Sequence, residues 1–163
     1  VQQLEFLGTK AHRFEKSEQG SGQRWADTLV YDYVSDELIT TGIDLNNKQI
    51  ISVDKSRDMQ PPLADSELDR ALKIVFEDDD EFSILQAEFK KITGEMLTSK
   101  DQLHYKAFTF FADSMPNVVN EASKACGIQR CAQLLLYTTD RISFEYSPIL
   151  NLSAGLITQR IGS

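Results

Sequence analysis

Two stretches of this chain read alike. LVYDYVSDELITTGIDLNNKQIIS begins at Leu29, and LLYTTDRISFEYSPILNLSAGLIT begins at Leu135. Ala26, Leu29 and Tyr31 recur as Ala132, Leu135 and Tyr137 at one constant spacing. After one inserted residue, Asp44-Leu45-Asn46 recurs as Asn151-Leu152-Ser153, and Ile50 as Ile157. Each copy reads as strand, turn, strand, polar tight turn, strand. One such meander has too little apolar surface to be stable alone. Unrelated meanders would share the alternation, but the matched turns favour one β-unit used twice, the copies jointly making a curved sheet. Leu45 and Leu152 are then expected at equivalent turn positions, on the same side of that sheet.

The segments around the copies change period. Leu4, Phe6 and Leu7 read as a short strand or helix, followed by the polar, glycine-rich tip Ser17 to Gly22. Pro61-Pro62 stops the first meander, because proline has no N–H for a ladder. Leu68, Ala71, Leu72, Val75 and Phe76 then recur at helical spacing, behind Asp65 and Glu67. Asp78, Asp79 and Asp80 break that helix and cap a second, in which Phe82, Leu85, Phe89 and Ile92 share a face and Gly94 supplies a left-handed cap. Period two returns from Leu103 to Phe111, apolar on both faces, as for a central strand that packs Phe108 or Phe110 on the helices. Pro116 to Ala125 reads as a short helix. Strands follow at Gln133 to Tyr137, Ile142 to Leu152 and Leu156 to Ile161.

The formal charge of −8 argues against nucleic acid, where basic residues must neutralise phosphates, and against an anionic membrane surface. No apolar run approaches the roughly 18 residues of a spanning helix. The chain opens at Val1 rather than Met, which reads as a processed or excised terminus with no targeting segment in view. Cys126 and Cys131, in CGIQRC, can close a short loop because Gly127 eases the turn, and Arg130 keeps the tip polar. A structural bridge is the leading reading and would contribute about 2 kcal/mol. It implies an oxidising compartment, secreted or periplasmic. Free buried thiols and redox or metal chemistry are the alternatives.

No catalytic constellation stands out. His12 and His104 are far apart in sequence, and each reads as a packed or surface histidine. Glu77 to Phe82, EDDDEF, is rich in carboxylates but lacks the glycine and ligand spacing of a calcium loop. Ser52-Val53-Asp54-Lys55 fits Ser-x-x-Lys without partner motifs. No nucleophile elbow or phosphate loop is present. Catalytic residues, metal ligands and cofactors are therefore all assigned as none. The aromatics are the remaining candidates: Trp25, Tyr31, Tyr33, Tyr105, Tyr137 and Tyr146 form the expected ligand or partner surface, with core filling as the competing role.

The order of motifs from Thr28 to Phe82, with IDLNNKQI, then MQPPLADSEL, then a helix, resembles the small N-terminal domains of copper amine oxidases. ILNLSAGLIT fits the same hairpin again. Ala64 stands where that family often has a capping Thr, so Asp65 is expected to cap the first helix. The family's chemistry uses three metal-ligating histidines and a modified tyrosine in an Asn-Tyr-Asp/Glu setting. This chain has two histidines and no such tyrosine context. The resemblance thus implies a fold, a cystatin-like roll serving as an accessory domain.

These readings combine into an α+β chain. Residues 1–163 form a single domain, in which a curved antiparallel sheet of about six strands carries two helices on one face, with the repeat at about 24–54 and 130–161. The expected function is a secreted, non-catalytic binding or accessory module, not an enzyme. Its occupant is a protein partner, a small ligand on a concave aromatic face, or a second copy of the chain.

Overall fold

The computed structural model describes residues 3–20 and 22–162. The fold class is α+β, with two helices and two antiparallel four-stranded sheets among those residues. The chain divides into two compact units between Met59 and Gln60, where one domain carrying one continuous sheet of about six strands was expected. Each meander recruits its own first strand and completes its own sheet.

In the first unit, β1 (Leu4–Ala11), β2 (Trp25–Asp32), β3 (Glu37–Asp44) and β4 (Gln49–Ser56) pair in chain order. The turn from β2 to β3 is set by Asp32, whose carboxylate accepts the Val34 N–H at 2.9 Å, and by Asp36 at φ 53°. In the next turn the Asp44 carboxylate accepts the backbone N–H groups of Asn46 and Asn47 and the Asn47 side-chain amide. Those bonds hold its pKa below the ordinary carboxylate value, Asn47 contributing most. Lys48, rather than either asparagine, takes the left-handed conformation, at φ 57°.

In the second unit, α1 (Asp65–Glu77) and α2 (Asp79–Thr93) precede β5 (Leu103–Thr109), β6 (Cys131–Thr138), β7 (Tyr146–Asn151) and β8 (Leu156–Gly162), again paired in chain order. The α2 caps are those read from the sequence: Asp78 accepts the Glu81 N–H at 2.8 Å, and Gly94 ends the helix at φ 76°. The α1 cap is not. Asp65 is the first helical residue, and the Glu67 carboxylate reaches back to the Ala64 N–H at 2.9 Å. Pro116 to Ala125 carries only a 3₁₀ turn at Glu121–Ser123, where the Asn120 side chain accepts the Ser123 N–H.

The repeat is legible bond by bond. β2 and β3 pair Trp25 with Asp44, as β6 and β7 pair Cys131 with Asn151. The Leu45 N–H donates to Arg24 O at 2.7 Å, and the Leu152 N–H to Arg130 O at 2.8 Å. The His12 N–H donates to Trp25 O, and the Phe110 N–H to Cys131 O. The last hairpin of each unit carries a register shift beside matched residues, Ile43 and Leu150, and a left-handed turn residue, Lys48 and Gly155. The two leucines thus occupy the same turn position, although Leu45 is 45% exposed and Leu152 only 5%. The repeated element has four strands, because β1 and β5 match as well.

Strand alternation decides which face the helices cover in the second unit. Leu103, Tyr105, Ala107 and Thr109 share a face with Ala132, Leu134, Leu136 and Leu150. Against this side α1 packs on β6 and β8, burying Ala71, Leu72 and Val75; Leu85 and Phe89 of α2 are buried too. Phe108 and Phe110 fall on the other face, so neither meets the helices. Phe108 is exposed, while Phe110 joins a smaller core with Ala112, Cys126, Cys131, Ile149 and Ile161. The Cys126–Cys131 disulfide is formed inside this core, and no cysteine is free. Pro148 lies in β7, and the β6–β7 ladder stops at Ile149, as a residue without an N–H requires.

Candidate functional surfaces

The six aromatic candidates do not share one surface. In the first unit Tyr31 and Tyr33 are buried edge to face at 5.0 Å, and the Tyr31 hydroxyl donates to Asp36. In the second, Tyr105 and Tyr146 lie on the helix side of the sheet, and Tyr137 on the opposite side. Tyr105 donates to Asp69 of α1 at 3.1 Å, and burial and that carboxylate raise its pKa. The Tyr146 hydroxyl is buried with no hydrogen-bond partner among the described residues. Burial, then Glu81 and Glu88, push its pKa far up, so the phenol stays protonated.

Trp25 belongs to a three-ring cluster in the first unit. Its ring centroid lies 4.9 Å from Phe14 and 5.4 Å from His12, and His12 and Phe14 are 5.1 Å apart. Asp27 fixes the imidazole through Nδ1 at 3.0 Å. The rings border a hollow of about 380 Å³ that also touches Lys10, Arg24 and Leu45. Tyr137 stands opposite His104 in register, in a cleft of about 610 Å³ that Lys106 and Arg141 also line.

Arg130, expected at a polar tip, is fully buried in the second unit. Its Nε and Nη2 donate to the Glu67 carboxylate at 2.5 and 2.8 Å. Nη1 donates to Gln60 Oε1 at 3.2 Å and Pro61 O at 2.9 Å, and Nη2 also to Pro62 O at 3.2 Å. All five guanidinium N–H groups are therefore engaged. Pro61 and Pro62 give their carbonyls to this clamp, and Glu67 ties it to the first turn of α1. The clamp locks the QPPLADSE segment onto the strand that Arg130 leads. A sequence signal was available: Gln23-Arg24 stands before Trp25-Ala26 as Gln129-Arg130 stands before Cys131-Ala132.

Arg24 holds the same backbone position in the first unit, but its side chain is exposed and in no ion pair among the described residues. The face that α1 covers in the second unit corresponds here to Ala26, Thr28 and Val30 of β2, flanked by Phe6 of β1, Ile39 and Ile43 of β3, and Ile50 and Val53 of β4. Phe6 is 59% exposed, Ile50 68% and Val53 57%. Leu4, on the same face, is also exposed. At the end of this face away from Arg24 stand the charged Asp32, Glu37 and Lys55.

No family model matches the sequence, and no curated protein matches it. Among solved structures, the chain is similar in fold to a copper-containing benzylamine oxidase from Hansenula polymorpha. The TM-score is 0.54 at 11% identity, over 98% of this chain and 26% of the oxidase, so the chain spans about a quarter of that protein's length. The likeness is one of fold. The residues present do not suit copper: the two histidines, His12 and His104, lie in different units. Among the described residues no group of three or more His, Cys, Asp or Glu side chains could hold a metal ion. No helix there is long and apolar enough to cross a membrane.

Proposed function

We propose that the chain is a non-catalytic accessory module, working in a secreted or periplasmic setting, that engages a protein partner through the first unit's sheet. The open apolar face of Leu4, Phe6, Ile50 and Val53 carries this reading. Scattered exposed apolar residues are ordinary, but a contiguous set on one sheet face marks an interaction surface. The fold likeness to a minor part of a much longer oxidase fits an accessory role, and the Cys126–Cys131 bridge fits an oxidising compartment.

The test is a photo-activatable phenylalanine analogue placed at Val53 in the producing cells, compared with the same group at the exposed Lys90 of α2. The reading expects a discrete protein adduct from Val53 that Ile50→Lys abolishes, and none from Lys90. No adduct from Val53, or the same adducts from both positions, would remove it. A second reading, small-ligand binding, is favoured by the His12–Phe14–Trp25 hollow. It predicts saturable changes in Trp25 fluorescence that Phe14→Ala abolishes.

A further inference from the structure

The two units share strand order, register and turn geometry, yet among the described residues only the second carries a helical layer. We infer that the first unit's open sheet face is a seat for an amphipathic helix of a partner polypeptide, one that opens, like α1, with an acidic first turn for Arg24 to grip. This rests on the accessory-module reading and names the class of partner.

Two independent observations point to a helix. The first is the face itself. In the second unit the matching positions Ala132, Leu134, Leu136 and Leu150 are buried, and α1 lies against them. In the first unit those positions hold the buried Ala26 and the half-buried Thr28, Val30 and Ile43, the exposed part of the face being Phe6, Ile50 and Val53 around them, and no helix belongs to that unit among the described residues. The second is the arginine. Arg130 and Arg24 each accept the N–H of the matched turn leucine through their carbonyl oxygens, so the backbone presents both side chains from the same point. By strand alternation both lie on the side of Ala132 and Ala26, the helix side. Arg130 spends its guanidinium on the start of α1: the Glu67 carboxylate, Gln60 and the carbonyls of Pro61 and Pro62. Arg24 offers the same five donors with no carboxylate against it among the described residues. A cation at one end of an apolar face, without its anion, selects a helix whose first turn is acidic. Helix-in-groove recognition lays the apolar face of an amphipathic helix on such an apolar surface, and Arg24 adds a charged anchor at its end. A second copy's α1 does not fit this role, because its Glu67 is already held by its own Arg130.

The probe is a synthetic peptide of residues 60–78, which carries Gln60, the two prolines, Glu67 and the α1 stripe. The full chain is the receptor, and a fluorescent label on the peptide reports binding by its emission anisotropy. A saturable rise in that anisotropy is expected. Arg24→Gln in the chain, or Glu67→Gln in the peptide, should each weaken binding about tenfold or more, the worth of a charge-assisted pair. Arg24 is exposed, so its replacement leaves folding intact, which circular dichroism checks. Unchanged anisotropy up to about millimolar receptor chain, or binding indifferent to both substitutions, would overturn the inference. So would sedimentation showing a dimer of the free chain that Ile50→Lys dissociates, since a second copy would then fill the face. Failure of the peptide alongside a specific Val53 adduct would remove the helix seat and leave the accessory reading standing.

Discussion

Replacing Arg130 by Met removes the one group that ties Gln60, Pro61, Pro62 and Glu67 to the head of β6. Met fills much of the same volume, so the loss is chiefly electrostatic. The Glu67 carboxylate, fully buried, loses both guanidinium bonds, and the carbonyls of Pro61 and Pro62 lose their guanidinium donors. Removing one partner of a buried ion pair typically costs about 3–5 kcal/mol, because the remaining charge is left without compensation. For a unit of this size each kcal/mol lowers the melting temperature by about 4–8 °C, so a fall on the order of 12–40 °C is expected. Circular dichroism at the helical band reads this unit selectively, since α1 and α2 both belong to it. Urea unfolding of the variant should show a lower midpoint at an unchanged slope. The double variant Arg130→Met, Glu67→Met should recover part of the loss, since an apolar pair can replace a buried ion pair. A single-variant cost below about 1 kcal/mol would refute the reasoning, for it would mean water reaches the clamp.

Tyr146→Phe should be neutral or slightly stabilising on urea unfolding, because it removes a buried hydroxyl that has no partner among the described residues; a loss above about 1 kcal/mol would show that the hydroxyl is bonded. Reducing Cys126–Cys131 should lower the stability of the second unit by about 2 kcal/mol. Alkylation of the denatured, unreduced protein should add nothing, and two added groups would contradict the bridge. Asp44 should titrate below an ordinary carboxylate in a ¹³C-detected pH series. Its native pKa lies below its unfolded value, so its contribution is present above about pH 4 and is lost as pH falls through the native pKa. Asn47→Ala should move that midpoint upward, and a midpoint insensitive to the change would contradict the assigned cause.

Local signals carried most of the fold. The α2 boundaries followed from Asp78 and Gly94, whose roles as caps need only their neighbours. The repeat was visible in Ala26, Leu29 and Tyr31 against their later matches, because pairing at fixed register preserves the spacing of inward residues. The division into two sheets was not visible, since Leu4 to Ala11 is largely exposed and its alternation is interrupted by a register shift between Phe6 and Gly8. The face assignment failed at Phe108 and Phe110 because β5 is apolar on both sides, and parity alone cannot say which side meets a helix. Arg130 was misplaced for a different reason. Its partners lie more than sixty residues earlier, and nothing within CGIQRC announces that a cation there will be enclosed. The candidate surface suffered most. Tyr31 and Tyr105 are strand aromatics alike, yet one is buried beside Tyr33 and the other is tied to Asp69, and these environments depend on contacts between elements distant in sequence.

The central claim is that the same sheet face is covered in the second unit and open in the first. Paramagnetic broadening of side-chain methyl signals by a soluble relaxation agent measures this directly on the free chain. The account predicts strong broadening at Ile50 and Val53 and near-complete protection at Leu134, Leu136 and Leu150. Equal protection of both sets would show that the first face is already covered, and would contradict the account.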